Sequence, residues 1–158
     1  MITRLSVDAR KVVLTSAADE ARRRGDRRLG TDHLLLGLLH SADSKVARAL
    51  GTDLESARAA SDALDVAALA AVGIDVVQLG DAPRPVFARR LLPLTSGSRT
   101  VMKAVVDQTR QAGLKRIESR QFLLALLDRE RPDPAAELLR ALGVDPAEVR
   151  ERLGGAAE

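Results

Sequence analysis

Residues Gly30 to Leu39, GTDHLLLGLL, are echoed 88 residues later by Glu118 to Leu127, ESRQFLLALL. In each copy a hydroxyl residue, Thr31 or Ser119, stands where a helix N-cap would accept a hydrogen bond from an orphan backbone N–H. An apolar run follows at once, Leu34, Leu35, Leu36, Leu38 and Leu39 in the first copy and Phe122, Leu123, Leu124, Leu126 and Leu127 in the second. A helix apolar around most of its circumference has to lie inside a bundle. The fold must therefore bury two equivalent central helices.

The surroundings repeat as well. Gly25 to Leu39 matches Gly113 to Leu127 without a gap, and Arg48-Ala49-Leu50-Gly51 is mirrored by Arg140-Ala141-Leu142-Gly143, with a loop four residues longer after the second central helix. Around each copy the pattern predicts three further helices. In the first half these are Asp8 to Arg24, with Ala9, Val12, Val13, Ala17 and Ala21 on one stripe and Gly25 as its stop; Lys45 to Leu50, stopped by Gly51; and Leu54 to about Leu64, capped by Asp53. Ala67 to Val72 reads as one more short helix. The second half predicts Gly97 to Ala112 behind Thr95, a helix opened by Asp133 and Pro134, and a last one to about Leu153 behind the capping box Asp145-Pro146-Ala147-Glu148. Pro83 and Pro85 forbid a continuous helix, so Gly80 to Pro93 reads as a linker. The expected organisation is all-α: one four-helix repeat at 1–65, a connecting segment at 66–93, a second repeat at 94–153 and a tail at 154–158.

Composition removes several functions. There is no cysteine, which excludes disulfides, thiolate zinc sites and cysteine nucleophiles. Phe87 and Phe122 are the only aromatic residues, too few to build a stacking platform for bases or a cage for cations. The 25 basic and 22 acidic side chains nearly balance along the helices. Apolar stretches fall short of the ~20 residues that cross a bilayer, and the charged start MITRLSVDARK lacks the apolar core of a signal peptide. A cytoplasmic protein is the expectation. No Gly-Lys pair occurs, so no P-loop is present to cradle nucleotide phosphates, and the chain is expected not to be an enzyme.

These residues resemble the N-terminal domain of Hsp100/Clp unfoldases, the ClpC type above all. That domain is two pseudo-symmetric four-helix repeats, each opening with a phrase like F-T-x-R-A and carrying G-T-E-H-L-L-L-G-L-L on its second helix. Here Gly30 to Leu39 departs from the second phrase only at Asp32, whereas Glu118-Ser119-Arg120-Gln121 replaces G-T-E-H in the second repeat, and Leu94-Thr95 stands for the opening F-T. Leu5 and Leu94 are taken as the equivalents of the family phenylalanine. The first repeat's opening is one residue longer than the second's. The resemblance covers nearly the whole chain outside its middle, and without ATPase modules it implies a free-standing docking module.

What the resemblance implies is binding of Clp subunits, adaptors or client proteins, as a decoy or an accessory factor in Clp-dependent proteolysis, and in some members of phosphorylated arginine. The motif Glu would grip the guanidinium, and N–H groups and hydroxyls at the start of each first helix would hold the phosphate. The candidate residues are accordingly Thr31, Asp32, Leu94, Thr95, Ser119 and Arg120. Taken half by half, neither site is complete: Asp32 keeps the carboxylate but is matched with Asp8, and Thr95-Ser96-Gly97-Ser98 is matched with Arg120. The plainer reading makes Thr31, Ser119, Thr95 and Asp53 helix caps and His33 a tie from helix to loop, and places Asp19, Glu20 and Asp32 on a solvated face. His33 and His40 have no third ligand at helical spacing, so neither a metal nor a cofactor is expected. Arg22, Arg23, Arg24, Arg27 and Arg28 read as cations welcomed by a helix C-terminus, with nucleic-acid binding as the alternative.

Overall fold

The computed structural model describes residues 4–75 and 92–155. All of the expected linker but its last two residues, and the last three residues of the expected tail, lie outside them. In the first repeat a two-residue strand β1 (Arg4–Leu5) leads into α1 (Val7–Lys11), a π-helical turn (Val12–Ser16) and α2 (Ala17–Arg24), which form one unbroken rod. Then come α3 (Thr31–Leu38), α4 (Lys45–Leu50) and α5 (Leu54–Ala71). The second repeat has α6 (Ser96–Gln111), β2 (Arg116–Ile117), α7 (Ser119–Leu127), α8 (Pro134–Ala141) and α9 (Pro146–Gly155). The protein is an all-α double repeat.

Several helix ends follow the expected chemistry. Asp53 and Thr95 are N-caps whose side chains accept from Ser56 and Ser98 N–H, and Ser44, which the sequence pattern does not mark, caps α4 by accepting from Ala47 N–H. Gly25 and Gly113 end the equivalent helices at φ 75° and 67°, a left-handed turn that a β-carbon would strain. Three expectations need correction. Thr31 and Ser119 are not N-caps. Gly30 and Glu118 hold the extended cap conformation, and the capped groups are their own N–H, which donate to His33 Nδ1 at 2.8 Å and Gln121 Oε1 at 3.0 Å. Second, α5 does not stop near Leu64 and restart; it runs on to Ala71, because nothing between Leu64 and Val72 breaks a helix. Third, Asp145 serves the Ala147 N–H at 2.9 Å, but Glu148 meets Arg152 at 3.3 Å instead of reaching back to the cap.

The two repeats are closed by each other. β1 pairs in parallel with β2, Arg4 opposite Arg116 and Leu5 opposite Ile117, and Ser6 N–H donates to Ile117 O at 2.8 Å. In the same way Leu94 bridges Leu29, and Thr95 N–H donates to Leu29 O at 3.0 Å. The residue before each first helix thus pairs with the residue before the other repeat's central helix, which places Leu5 and Leu94 in equivalent positions. The extra residue of the first opening is absorbed in the π-turn, where Ala17 N–H reaches back five residues to Val12 O. Helix α6 is regular throughout. At the centre α3 and α7 meet, with Leu34, Leu35, Leu36, Phe122, Leu123 and Leu126 in one hydrophobic cluster and almost without exposed surface. Such a cluster supplies most of the drive to fold, since each fully buried side chain of this size contributes about 1.5–3 kcal/mol.

Candidate functional site

The reciprocal pairing decides what the candidate residues can face. It brings the start of α7 to the start of α1, and the start of α3 to the start of α6. The half-by-half matching expected from sequence is therefore replaced by a crosswise one. A cavity of about 580 Å³ lies where α7 meets α1 and is lined by Ser119 and Arg120 together with Ser6 and Asp8. On the other side the first turns of α3 and α6 touch: a β-carbon on Gly97 would lie 3.4 Å from Thr31 Cγ2 and 3.0 Å from Asp133 Oδ2.

Thr31 joins the repeats. Its hydroxyl donates to Asp133 Oδ1 at 2.7 Å and accepts from Ala135 N–H at 3.1 Å, all within the buried interior. Asp133, the N-cap of α8, also accepts from Ala135 N–H at 2.9 Å and from Arg129 Nε at 3.0 Å. Its carboxylate thereby lies against the first turn of α6, where the resemblance would seat a phosphate. Leu94 contributes backbone there, and Thr95 spends its hydroxyl on capping Ser98.

Asp32 points elsewhere, into a cleft of about 440 Å³ shared with α5 and α8 and lined by Arg24, Asp65, Leu64, Pro134 and Glu137. The carboxylate is already engaged. Arg24 Nη1 donates to Asp32 Oδ2 at 2.6 Å and its Nη2 to Asp65 Oδ2 at 2.5 Å, while Nε lies 3.5 Å from Asp26. Burial by itself pushes the Arg24 pKa down, but the carboxylates of Asp32, Asp65 and Asp26 outweigh it and raise the pKa. An internal guanidinium thus occupies the carboxylate that the resemblance reserves for a ligand's.

Sequence reasoning missed the nearby Glu20. Expected on a solvated face, it is fully buried and accepts from Arg58, His40 (2.8 Å) and Arg23 (3.3 Å). Burial pushes its carboxyl up; the hydrogen bonds from Arg58 and His40 prevail and hold it below the ordinary value. The one signal was position, since Glu20 falls between Ala17 and Ala21 on the apolar side of its helix. His33 behaves as expected, with Nε2 2.7 Å from Asp26. Accepting at Nδ1 from Gly30 places its proton on Nε2. In the arginine cluster Arg22 pairs with Asp19, Arg23 with Glu20 and Asp62, and Arg24 with its three aspartates. That leaves little of the field a phosphate backbone would need. Among the described residues no group of three His, Asp or Glu gathers to hold a metal ion, and no helix is long and apolar enough to cross a membrane.

The comparisons with known proteins agree with this fold. The Clp repeat (R) N-terminal domain matches residues 4–132, and the chain belongs to that family. It is 30% identical over 156 residues to the chloroplastic chaperone protein ClpC2 of Oryza sativa subsp. japonica and, equally, to the chloroplastic chaperone protein ClpC1 of Arabidopsis thaliana. In both cases 97% of this chain aligns, and it spans about 15% of the relative's length. The crystal structure of the N-terminal domain of the caseinolytic-protease-associated chaperone ClpD from Arabidopsis thaliana has the same fold, with a TM-score of 0.71, 19% identity and 98% of each chain covered.

Proposed function

We propose that the chain is a non-catalytic docking module that captures client proteins, adaptors or Clp subunits in Clp-dependent proteolysis, as a decoy or an accessory factor. The observation that carries this reading is the pair of open clefts at the starts of α3 and α7, each walled by residues of both repeats, on the fold of a Clp repeat domain. Their walls are charged groups over apolar floors, and neither contains a nucleophile paired with a base. Such clefts hold a ligand without transforming it.

The test is a pull-down with the tagged chain at physiological salt. Clp subunits, or proteins that Clp proteolysis degrades, are expected in the bound fraction, and their absence removes the proposal. Phosphoarginine recognition at Asp32 requires Arg24 to be displaced. Titration with phosphoarginine is therefore expected to show tighter binding to Arg24→Ala than to the natural chain, with Arg24→Ala, Asp32→Ala as the double variant that abolishes the gain.

A further inference from the structure

We infer that the cavity between α1 and α7 binds an acidic, apolar-flanked segment of a partner protein. This deepens the docking reading and rests on it. The floor is apolar: Val12, Leu38, Val46 and Leu153 line the cavity and are each buried. Above the floor stand three cations, Lys11, Lys45 and Arg120. None of the three has an ion-pair or hydrogen-bond partner among the described residues, so each is available to a ligand. Two carboxylates, Asp8 and Glu118, share the lining. Both are exposed, whereas Arg120 is half-buried, so the most enclosed charge is the guanidinium and the balance is positive.

An independent feature lies deeper. Ser16 is 3% exposed, lines the same cavity and has no hydrogen-bond partner among the described residues. Its hydroxyl faces the cavity, where it can donate to a ligand acceptor in place of water. Its place is set by the π-turn that ends on it, which has no counterpart in α6. A carboxylate suits the whole arrangement: it can accept two N–H bonds from Arg120, with the lysines and Ser16 as further donors, while an apolar neighbour covers the floor. The cleft at Asp32 is lined instead by three carboxylates, Asp32, Asp65 and Glu137, against one guanidinium, Arg24. The charge lining the two clefts therefore differs in sign.

The experiment uses the full chain and a fluorescein-labelled, C-terminally amidated peptide alternating Glu and Leu, beside versions with Gln or Lys for Glu, followed by anisotropy. Saturable binding of the Glu peptide at least about tenfold tighter than either other peptide is expected. Arg120→Glu and Lys45→Glu should each weaken it about tenfold. Both substitutions place an acid in a helix first turn, where it is welcome, so unchanged far-UV circular dichroism is expected. Lys103→Glu, the same charge change on the exposed side of α6, should leave affinity unaltered. Equal binding of the three peptides, or an Arg120→Glu effect no larger than that of Lys103→Glu, overturns the inference. If no peptide binds while the pull-down still recovers Clp partners, this inference falls and the docking reading stands; if both fail, both fall.

Discussion

Gly37 marks the closest approach of two helices. A β-carbon there would sit 3.0 Å from the Ala17 backbone nitrogen and 3.2 Å from Ala17 Cα, and only backbone movement could relieve the clash. The equivalent position in the second repeat, Ala125, carries that carbon and is buried without difficulty. Gly37→Ala should therefore destabilise the protein by about 1–3 kcal/mol in denaturant unfolding, although alanine is the better helix former. Glu20 makes a second prediction. Its carboxyl is depressed in the folded state, so the stabilisation is fully present above the unfolded value near 4.5 and is lost as pH falls through the lower folded one. Glu20→Gln leaves Arg58 and Arg23 short of an anion and should cost about 3–5 kcal/mol at neutral pH. The difference between the two proteins, followed by urea unfolding, should shrink as the pH drops below that window.

At the scale of elements, Thr31 and the π-turn do what no local pattern announces. Thr31→Val keeps the shape but removes the bond to Asp133, and a loss of about 1–3 kcal/mol in urea unfolding is expected. Deleting Thr15, exposed within the π-turn, should convert it to regular α-helix with both flanking registers kept. Helical ellipticity should be retained while the Glu peptide binds more weakly, because Ser16 loses its setting. Sequence made the leucine-rich central helices, the glycine stops at 25, 51 and 113 and the caps at Asp53 and Thr95 legible, since each depends on neighbours within a turn. It misplaced the caps at Thr31 and Ser119 by one residue because a hydroxyl suits either side of a helix boundary. It split α5 near Leu64, where nothing breaks a helix, but the short helix expected to close at Val72 does mark where α5 ends.

For the whole molecule, the hidden fact was which half faces which. Asp8, Asp32, Thr95 and Arg120 were all visible as charges or hydroxyls at helix starts; their crosswise grouping depends on pairing between residues more than sixty positions apart, such as Leu29 with Leu94. That regrouping changes the chemistry. Arg120 meets Asp8's side of the molecule and not the hydroxyls of α6, and Asp32 is answered by Arg24.

The exchange of edges has a further consequence. Leu5 meets Ile117 as Leu94 meets Leu29, so contact i to j is matched by its reciprocal. This is the arrangement found across an isologous interface about a two-fold axis. A shortened chain holding only residues 92–158 would keep two unpaired edges, at Leu94 and at Arg116–Ile117, and one open apolar flank, and would be expected to sediment as a symmetric dimer at micromolar concentration. Joining the two units in one polypeptide leaves each side of the interface free to differ, and they do so in the extra residue in the turn at Val12–Ser16 and in the opposite charges of Asp32 and Arg120.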